Sequence, residues 1–324
     1  MKKLSIILAM VCAANFAMAQ NSSSVTATGD SNNAYVEQKA GLTGNTATIT
    51  QIGDKNNAAV SDHFASSLFG LLTGTKGITQ NGSGNEGIIS QTNITTGSVV
   101  AGPEAGMGQY GDRNKATITQ THNASFMQEY AWVKQEGNGN TSLQNQASLF
   151  GFSHVYQVGN GNGAETQQLG GYNHKANIYQ FGDNNRGTQI QGSTTLAYTE
   201  GNLSELSQIG SSNTATTTQR SNDNKVSLTQ NGFGNGATVL QETGNFNVVN
   251  LTQDGGAQAD IVQDGANNTL MGLGIDIMAT SLNGSVLNLD QLGSGNVLHL
   301  QQTNGASATV MQDGMTNTSI VIQN

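Results

Sequence analysis

Short stretches of this 324-residue chain alternate strictly between two kinds of position. Asn45-Thr46-Ala47-Thr48-Ile49-Thr50-Gln51 sets Asn45, Ala47, Ile49 and Gln51 on one side and three threonines on the other, because successive side chains of a strand point to opposite faces. The same template fits Asn114, Ala116, Ile118 and Gln120, then Asn224, Val226, Leu228 and Gln230, then Asn317, Ser319, Val321 and Gln323. The expected inward face therefore reads amide, small, aliphatic, amide. A helical reading fails, since apolar residues recur at a spacing of two and β-branched residues abound.

The closing glutamine repeats along the chain. Gln80 and Gln91, Gln109 and Gln120, Gln157 and Gln168, Gln230 and Gln241, and Gln312 and Gln323 are each 11 residues apart. Similar pairs fill the intervals, and Ala27, Gln38, Gln51, Asp62, Gln253, Gln263 and Thr280 complete 25 stations, of which 22 are Gln. The chain holds 29 Gln in all, so most of them belong to this pattern.

A second order appears when alternate stations are compared. Counting from Ala27, every other station carries Gly two places on in ten of twelve cases, Gly82, Gly111, Gly159 and Gly232 among them. Steps out of these stations are 10 or 11 residues, whereas steps out of the others stretch to 18. The predicted unit is about 22 residues of strand, tight Gly turn, strand and variable turn. Such a unit cannot bury its own face, but stacked units bury a continuous one. The expectation is an all-β solenoid of roughly 12 coils with two parallel sheets, its strands about 4.8 Å apart. Longer insertions near 63–74, 92–103, 121–129, 192–202 and 264–274 all follow stations of the second kind, which predicts that they project from one edge. Thr280 is taken as a station partly because it preserves this alternation.

Stacking places like residues over like. A primary amide has donors on one atom and an acceptor on the other, so Gln, or an inward Asn such as Asn85, Asn114, Asn162 or Asn235, can give to one coil and accept from the next. A broken ladder would leave buried groups unpaired at about 1–3 kcal/mol each, and a one-residue slip would bury Thr and expose Ile.

Composition sharpens this picture. There are 42 Gly, one Pro and one Cys, with only 10% charged and 5% aromatic residues, far from an ordinary enzyme domain and also from a Pro- and charge-rich disordered chain. Twelve Lys+Arg against 21 Asp+Glu argue against nucleic acid as a partner. Lys2 and Lys3, an apolar run from Leu4 to Ala14 and then Ala17-Met18-Ala19 read as a signal peptide over residues 1–19, too short to span a membrane. Residues 20–324 are expected to form a single secreted domain. Its sequence has no cysteine, because Cys12 lies in the signal.

Gln157-Val-Gly159-Asn-Gly161-Asn162-Gly-Ala164-Glu-Thr-Gln-Gln168 and Gln230-Asn-Gly232-Phe-Gly234-Asn235-Gly-Ala237-Thr-Val-Leu-Gln241 resemble the curlin repeat, Q-x-G-x-G-N-x-A-x-x-x-Q. Gln109 to Gln120 matches with Arg113 at the second Gly, and degenerate copies cover nearly all of residues 20–324. The resemblance implies a subunit of curli-type amyloid fibres at the cell surface, with itself as chief partner, a nucleator subunit, outer-membrane export machinery and a place in biofilm matrix. Curlin subunits carry about five repeats, roughly half the number here.

Chemistry points elsewhere. His63, His122, His154, His174 and His299 lack metal spacing, and His174 merely occupies an Asn station. Asp54, Asp112, Asp183, Asp254, Asp264 and Asp313 recur beside turns without a calcium nonapeptide, so turn chemistry is expected of them. Trp132 is expected to pack beneath an insertion. No catalytic residue, cofactor or metal is assigned. The alternative function is a non-polymerising surface-recognition or ice-binding solenoid, suggested by Thr46, Thr48 and Thr50 and by Thr214, Thr216 and Thr218. Finally, Asn317, Val321 and Gln323 lie in a complete strand template with one residue after it, an expected assembly edge for a second copy.

Overall fold

The alternating segments become parallel strands. The computed structural model describes residues 21–38, 44–58, 77–94, 103–122, 129–192, 200–273 and 278–324. No helix occurs among them. The signal-like residues 1–19 lie outside the described residues. The chain falls into two compact units, Met1–Gly161 and Asn162–Asn324.

In the first unit one sheet runs Ser22–Thr28, Thr46–Ile52, Glu86–Asn93, Lys115–His122, Thr141–Leu149. The second sheet ends with Glu104–Tyr110, Tyr130–Glu136 and Phe152–Val158. Register keeps like over like, with Gln51 beside Gln91, Gln91 beside Gln120 and Gln120 beside Gln146. Ile49, Ile89 and Ile118 stack in the same way and are wholly buried. The second unit repeats the plan with Arg186–Gly192, Thr214–Gln219, Gly236–Gln241, Gln258–Asp264, Val286–Ser294 and Ser307–Met315 in one sheet. Lys175–Phe181, Leu203–Ser211, Lys225–Phe233, Val248–Asp254, Val297–Gln302 and Thr318–Gln323 lie in the other. All pairings are parallel, and each is reached through an arm of the opposite sheet, which makes the fold a β-solenoid.

Core and surface follow the alternation. Asn224, Val226, Leu228 and Gln230 are buried while Lys225 is exposed and Ser227 and Thr229 are half-buried. Thr46, Thr48 and Thr50 face Glu86, Ile88 and Ser90 on the next strand, so no threonine row continues there. At the second place Thr216 stacks between Thr188 and Thr238, but Thr214 lies between Arg186 and Gly236 and Thr218 between Ile190 and Leu240, so the row is one residue wide.

The register corrects the station count. Gln38 pairs with Gln80 while Gln51 pairs with Gln91, so Ala27 and Gln51 belong with the second kind of station and not the first. Asp62 lies outside the described residues, but the strands around it explain its false spacing. Asn57–Ala58 pairs with Asn33–Ala34, and Ile78–Asn81 pairs with Val36–Gln38, so they are two ends of one interrupted arm. The second unit does the same where Thr269–Met271 and Ala279–Leu282 both pair with Val248–Asp254. There Ser281, not Thr280, takes the rung between Gln253 and Gln302. Residues 264–271 are thus the ordinary turn and the first part of a split arm, while 63–74 and most of 92–103, 121–129 and 192–202 lie outside the described residues. The expectation of one common edge falls mostly on segments outside the described residues, and the described strands show that an arm can be split without loss of register at either end.

Candidate functional site: the amide ladders

Glutamine reaches further than a ladder alone requires. Gln80 accepts from Gln38 Nε2 at 2.8 Å and donates to Gln109 Oε1 at 2.9 Å, and its Nε2 also donates to the Thr46 carbonyl of the opposite sheet at 3.0 Å. The same double donation holds at Gln91, to Gln120 Oε1 and the Asn57 carbonyl, and at Gln109, to Gln135 Oε1 and the Glu86 carbonyl. Gln120 gives to Gln146 Oε1 and the Glu104 carbonyl. Gln157 accepts from Gln135 and donates to the Thr141 carbonyl. In the second unit Gln168 donates to Gln191, Gln230 to Gln253, and Gln241 to Gln263, each at 2.8–3.0 Å. Gln230 and Gln241 also reach the Thr214 and Lys225 carbonyls across the core. The side chain is therefore a clamp between sheets as well as a rung, which explains why a shorter amide does not take its place.

Asparagine works through the backbone. Asn85 Oδ1 accepts the Asn114 N–H at 2.9 Å and its Nδ2 donates to the Gly111 carbonyl at 2.8 Å. Asn114 repeats this with the Asn140 N–H and Gly137 carbonyl, and Asn162 with the Asn185 N–H and Gly182 carbonyl. Asn235 accepts from Ala257 N–H but turns its Nδ2 to Asn213 Oδ1 and the Asn231 carbonyl. Asn85, Asn114 and Asn162 thus tie each strand start to the turn of the next coil, whereas Asn235 keeps the amide-to-amide contact expected of all four. A third series runs through the turns: Ser83 N–H donates to Asp112 Oδ1, Asp112 N–H to Asn138 Oδ1, and Asn138 N–H to Asn160 Oδ1. Asp54 likewise accepts the Asp30 N–H. The recurring Asp and Asn residues are thus acceptors for the preceding turn, and no cluster of three or more metal-ligating groups occurs among the described residues.

Two glycines of the turn differ in kind. Gly82, Gly111, Gly159 and Gly232 all have positive φ, between 80° and 142°. A Cβ on Gly82 or Gly111 would also overlap the carbonyl oxygen of Gly111 or Gly137 in the next coil. The second glycine needs only its positive φ, since a Cβ on Gly139 or Gly234 meets nothing within 4 Å. Arg113 (φ 56°) and Asn184 (φ 57°) therefore stand at that place.

Ladders end where the pattern lapses. Gln51 Oε1 and Gln302 Oε1 are buried and have no hydrogen-bond partner among the described residues, and the residues stacked on them are Ala27 and Ser281. Gln312 accepts from Gln291, then turns its donors to the Val297 and Asn317 carbonyls and Ser319 Oγ. Gln323 accepts from Gln302 and donates to the Ser307 carbonyl. The strand Thr318–Gln323, with Val321 half-buried and Asn317 just before it, pairs only with Val297–Gln302 among the described residues. Ile320 and Ile322 on its other face are 63% and 53% exposed.

Sequence reasoning missed the buried titratable groups. Trp132 and His154 stand in register on the outward side of their strands, yet both are buried. His174 is buried at its Asn station, and burial lowers both rings to about 4. A ring held below its ordinary value of 6.5 supports the fold above that value and loses this contribution as pH falls toward 4. Full loss is about 3 kcal/mol per ring. The urea midpoint of the second unit should therefore drop between pH 7 and pH 4, and His174→Asn, the residue at 202 and 224, should flatten that drop. In the first unit Glu129 opposes His154, because burial raises its carboxyl and acid relieves that cost.

A comparison with curated proteins found none that matches the chain. Residues 222–255, which carry the Gln230, Gln241 and Gln253 rungs just described, match the family model of the curlin associated repeat.

Proposed function

We propose that this chain is a structural subunit of extracellular curli-like amyloid fibres, polymerising by stacking the coils of one copy on those of the next. The curlin repeat supports a fibre-forming role, and the observation that carries the stacking reading is the last coil. Its two strands each lack a partner on one side among the described residues, and they expose Met311, Met315, Ile320 and Ile322. An unpaired parallel edge offers backbone donors and acceptors at about 4.8 Å spacing to an incoming strand. The first coil offers the matching surface, with Val25 of Ser22–Thr28 exposed and Gln51 Oε1 lacking a partner among the described residues. Secretion through the signal over residues 1–19, a nucleator subunit, outer-membrane export and a place in biofilm matrix and cell adhesion complete the reading. The proposal assigns no catalytic role, cofactor or metal.

Purified protein lacking residues 1–19 should bind thioflavin and form fibres with a lag. Ile320→Pro removes a backbone donor from the open side of the strand, whose Asn317 and Gln323 carbonyls face Val297–Gln302 instead, and should slow growth at that end by at least tenfold, leaving earlier coils folded. Persistent monomer at high concentration, or wild-type growth from both ends of the proline variant, would refute the stacking reading.

A further inference from the structure

His122 and Glu129 form an ion pair inside the first unit. His122 follows the Gln120 rung by two residues and lies in register with Asn93 on the neighbouring strand. Glu129 precedes Tyr130–Glu136 and takes the place that Asn56 holds before Asn57–Ala58 in an earlier coil. His122 Nδ1 and Glu129 Oε2 are 2.5 Å apart, and both side chains are fully buried. Among the described residues, His122 Nε2 and Glu129 Oε1 have no hydrogen-bond partner. Asn93 stacks on His122 while Pro103 and Gly151 flank Glu129, so this is a titratable couple set among groups that do not titrate.

From this geometry we infer that the His122–Glu129 pair is a proton-operated latch, which holds the edge between the two sheets only while it carries no net charge. With a protonated ring beside a carboxylate, or a neutral ring beside a carboxylic acid, the charges sum to zero. Loss of that proton leaves an uncompensated buried anion, and gain of another leaves an uncompensated buried cation. Either is expensive, because no further partner among the described residues takes up the charge. Burial raises the Glu129 carboxyl, with His122 opposing, in keeping with an anion that is hard to hold here.

Other titratable groups on the packed strands turn away from the pair. Glu86 and Lys115 join each other at 3.0 Å at the far end of their strands. Glu104, Tyr110, Tyr130, Lys134, Glu136, His154 and Tyr156 alternate to the outward side of the second sheet. Asp54 contacts the region only through its backbone carbonyl, which accepts from Asn93 Nδ2, and Thr141–Leu149 carries no charged residue.

Two backbone bonds report on the latch. Ile94 N–H donates to the His122 carbonyl at 2.9 Å, and Glu104 N–H donates to the Glu129 carbonyl at 2.8 Å. Amide exchange at Ile94 and Glu104 in the full chain, corrected for the intrinsic pH dependence of exchange, should show protection that peaks and falls at least tenfold toward alkaline pH. The Lys225 amide, bonded to Asn247 in the second unit, serves as reference and should hold its protection on the alkaline side. The double variant His122→Asn with Glu129→Asn copies the residues found at 93 and 56 and should give a flat alkaline limb. Glu129→Gln, which keeps the shape without the charge, should do likewise if the double variant fails to fold. Wild-type protection that stays level through alkaline pH, or falls equally in the variants, overturns the inference.

Discussion

Gly137→Ala should destabilise the first unit by at least about 3 kcal/mol, whereas Gly139→Ala, two residues along the same turn, should cost about 1 kcal/mol. Both glycines have positive φ, 110° and 66°, so both substitutions carry a backbone cost. Only Gly137 carries a second cost. Its Cβ would overlap the Gly159 carbonyl oxygen of the next coil, and that carbonyl already accepts from Asn140 Nδ2 at 2.8 Å. Moving it away would pull apart the turn of one coil and the strand start of another. The chain has a single Trp, Trp132, in the strand that leads into this turn, so its fluorescence in a denaturant titration reads the local loss directly. Equal midpoints for the two variants would show that carbonyl packing between turns contributes nothing.

Gln230→Ala should cost the second unit about 3–5 kcal/mol, against about 0.5 kcal/mol or less for Thr229→Ala. The glutamine accepts from Gln208 at 2.8 Å and donates at 2.9 Å to both Gln253 Oε1 and the Thr214 carbonyl. Truncation leaves Gln253 Oε1 buried without its donor and opens a void where both sheets meet. Thr229 is half-buried on the other face and makes no comparable set. Urea midpoints with an unchanged slope would separate lost stability from altered compactness. Similar costs for the two would contradict the clamp.

Much of this arrangement could be read from the chain because a strand reports its two faces at a period of two. Asn224, Val226, Leu228 and Gln230 needed no structure to be assigned inward, and the Gln230 to Gln241 spacing already implies a coil. What could not be read depends on contacts across the coil. The second donor of each glutamine reaches a carbonyl of the opposite sheet, as Gln230 reaches Thr214, and no local spacing marks that partner. Register in the first coils was misread because Asp62 lies 11 residues after Gln51, mimicking a station where an arm is in fact interrupted between Ala58 and Ile78. The station assigned to Thr280 falls at Ser281 for a similar reason, as a split arm carries no spacing signal across its gap. The His122–Glu129 couple escaped notice because seven residues separate two groups that only the stacking of the sheets brings to 2.5 Å.

The glutamine ladders all run one way. From Gln38 to Gln157 in the first unit, and from Gln168 to Gln312 in the second, Nε2 of the earlier coil gives to Oε1 of the later one. Amide dipoles aligned in this way add along the stack, as peptide dipoles do along a helix. Each unit is therefore a small electret, positive toward its later coils, negative toward its earlier ones. Two copies brought together by like ends would set oxygen against oxygen, or hydrogen against hydrogen, along every amide column. An extension that continues the columns must arrive in one orientation, so any filament built on them has a compass direction inherited from a single side-chain rotamer.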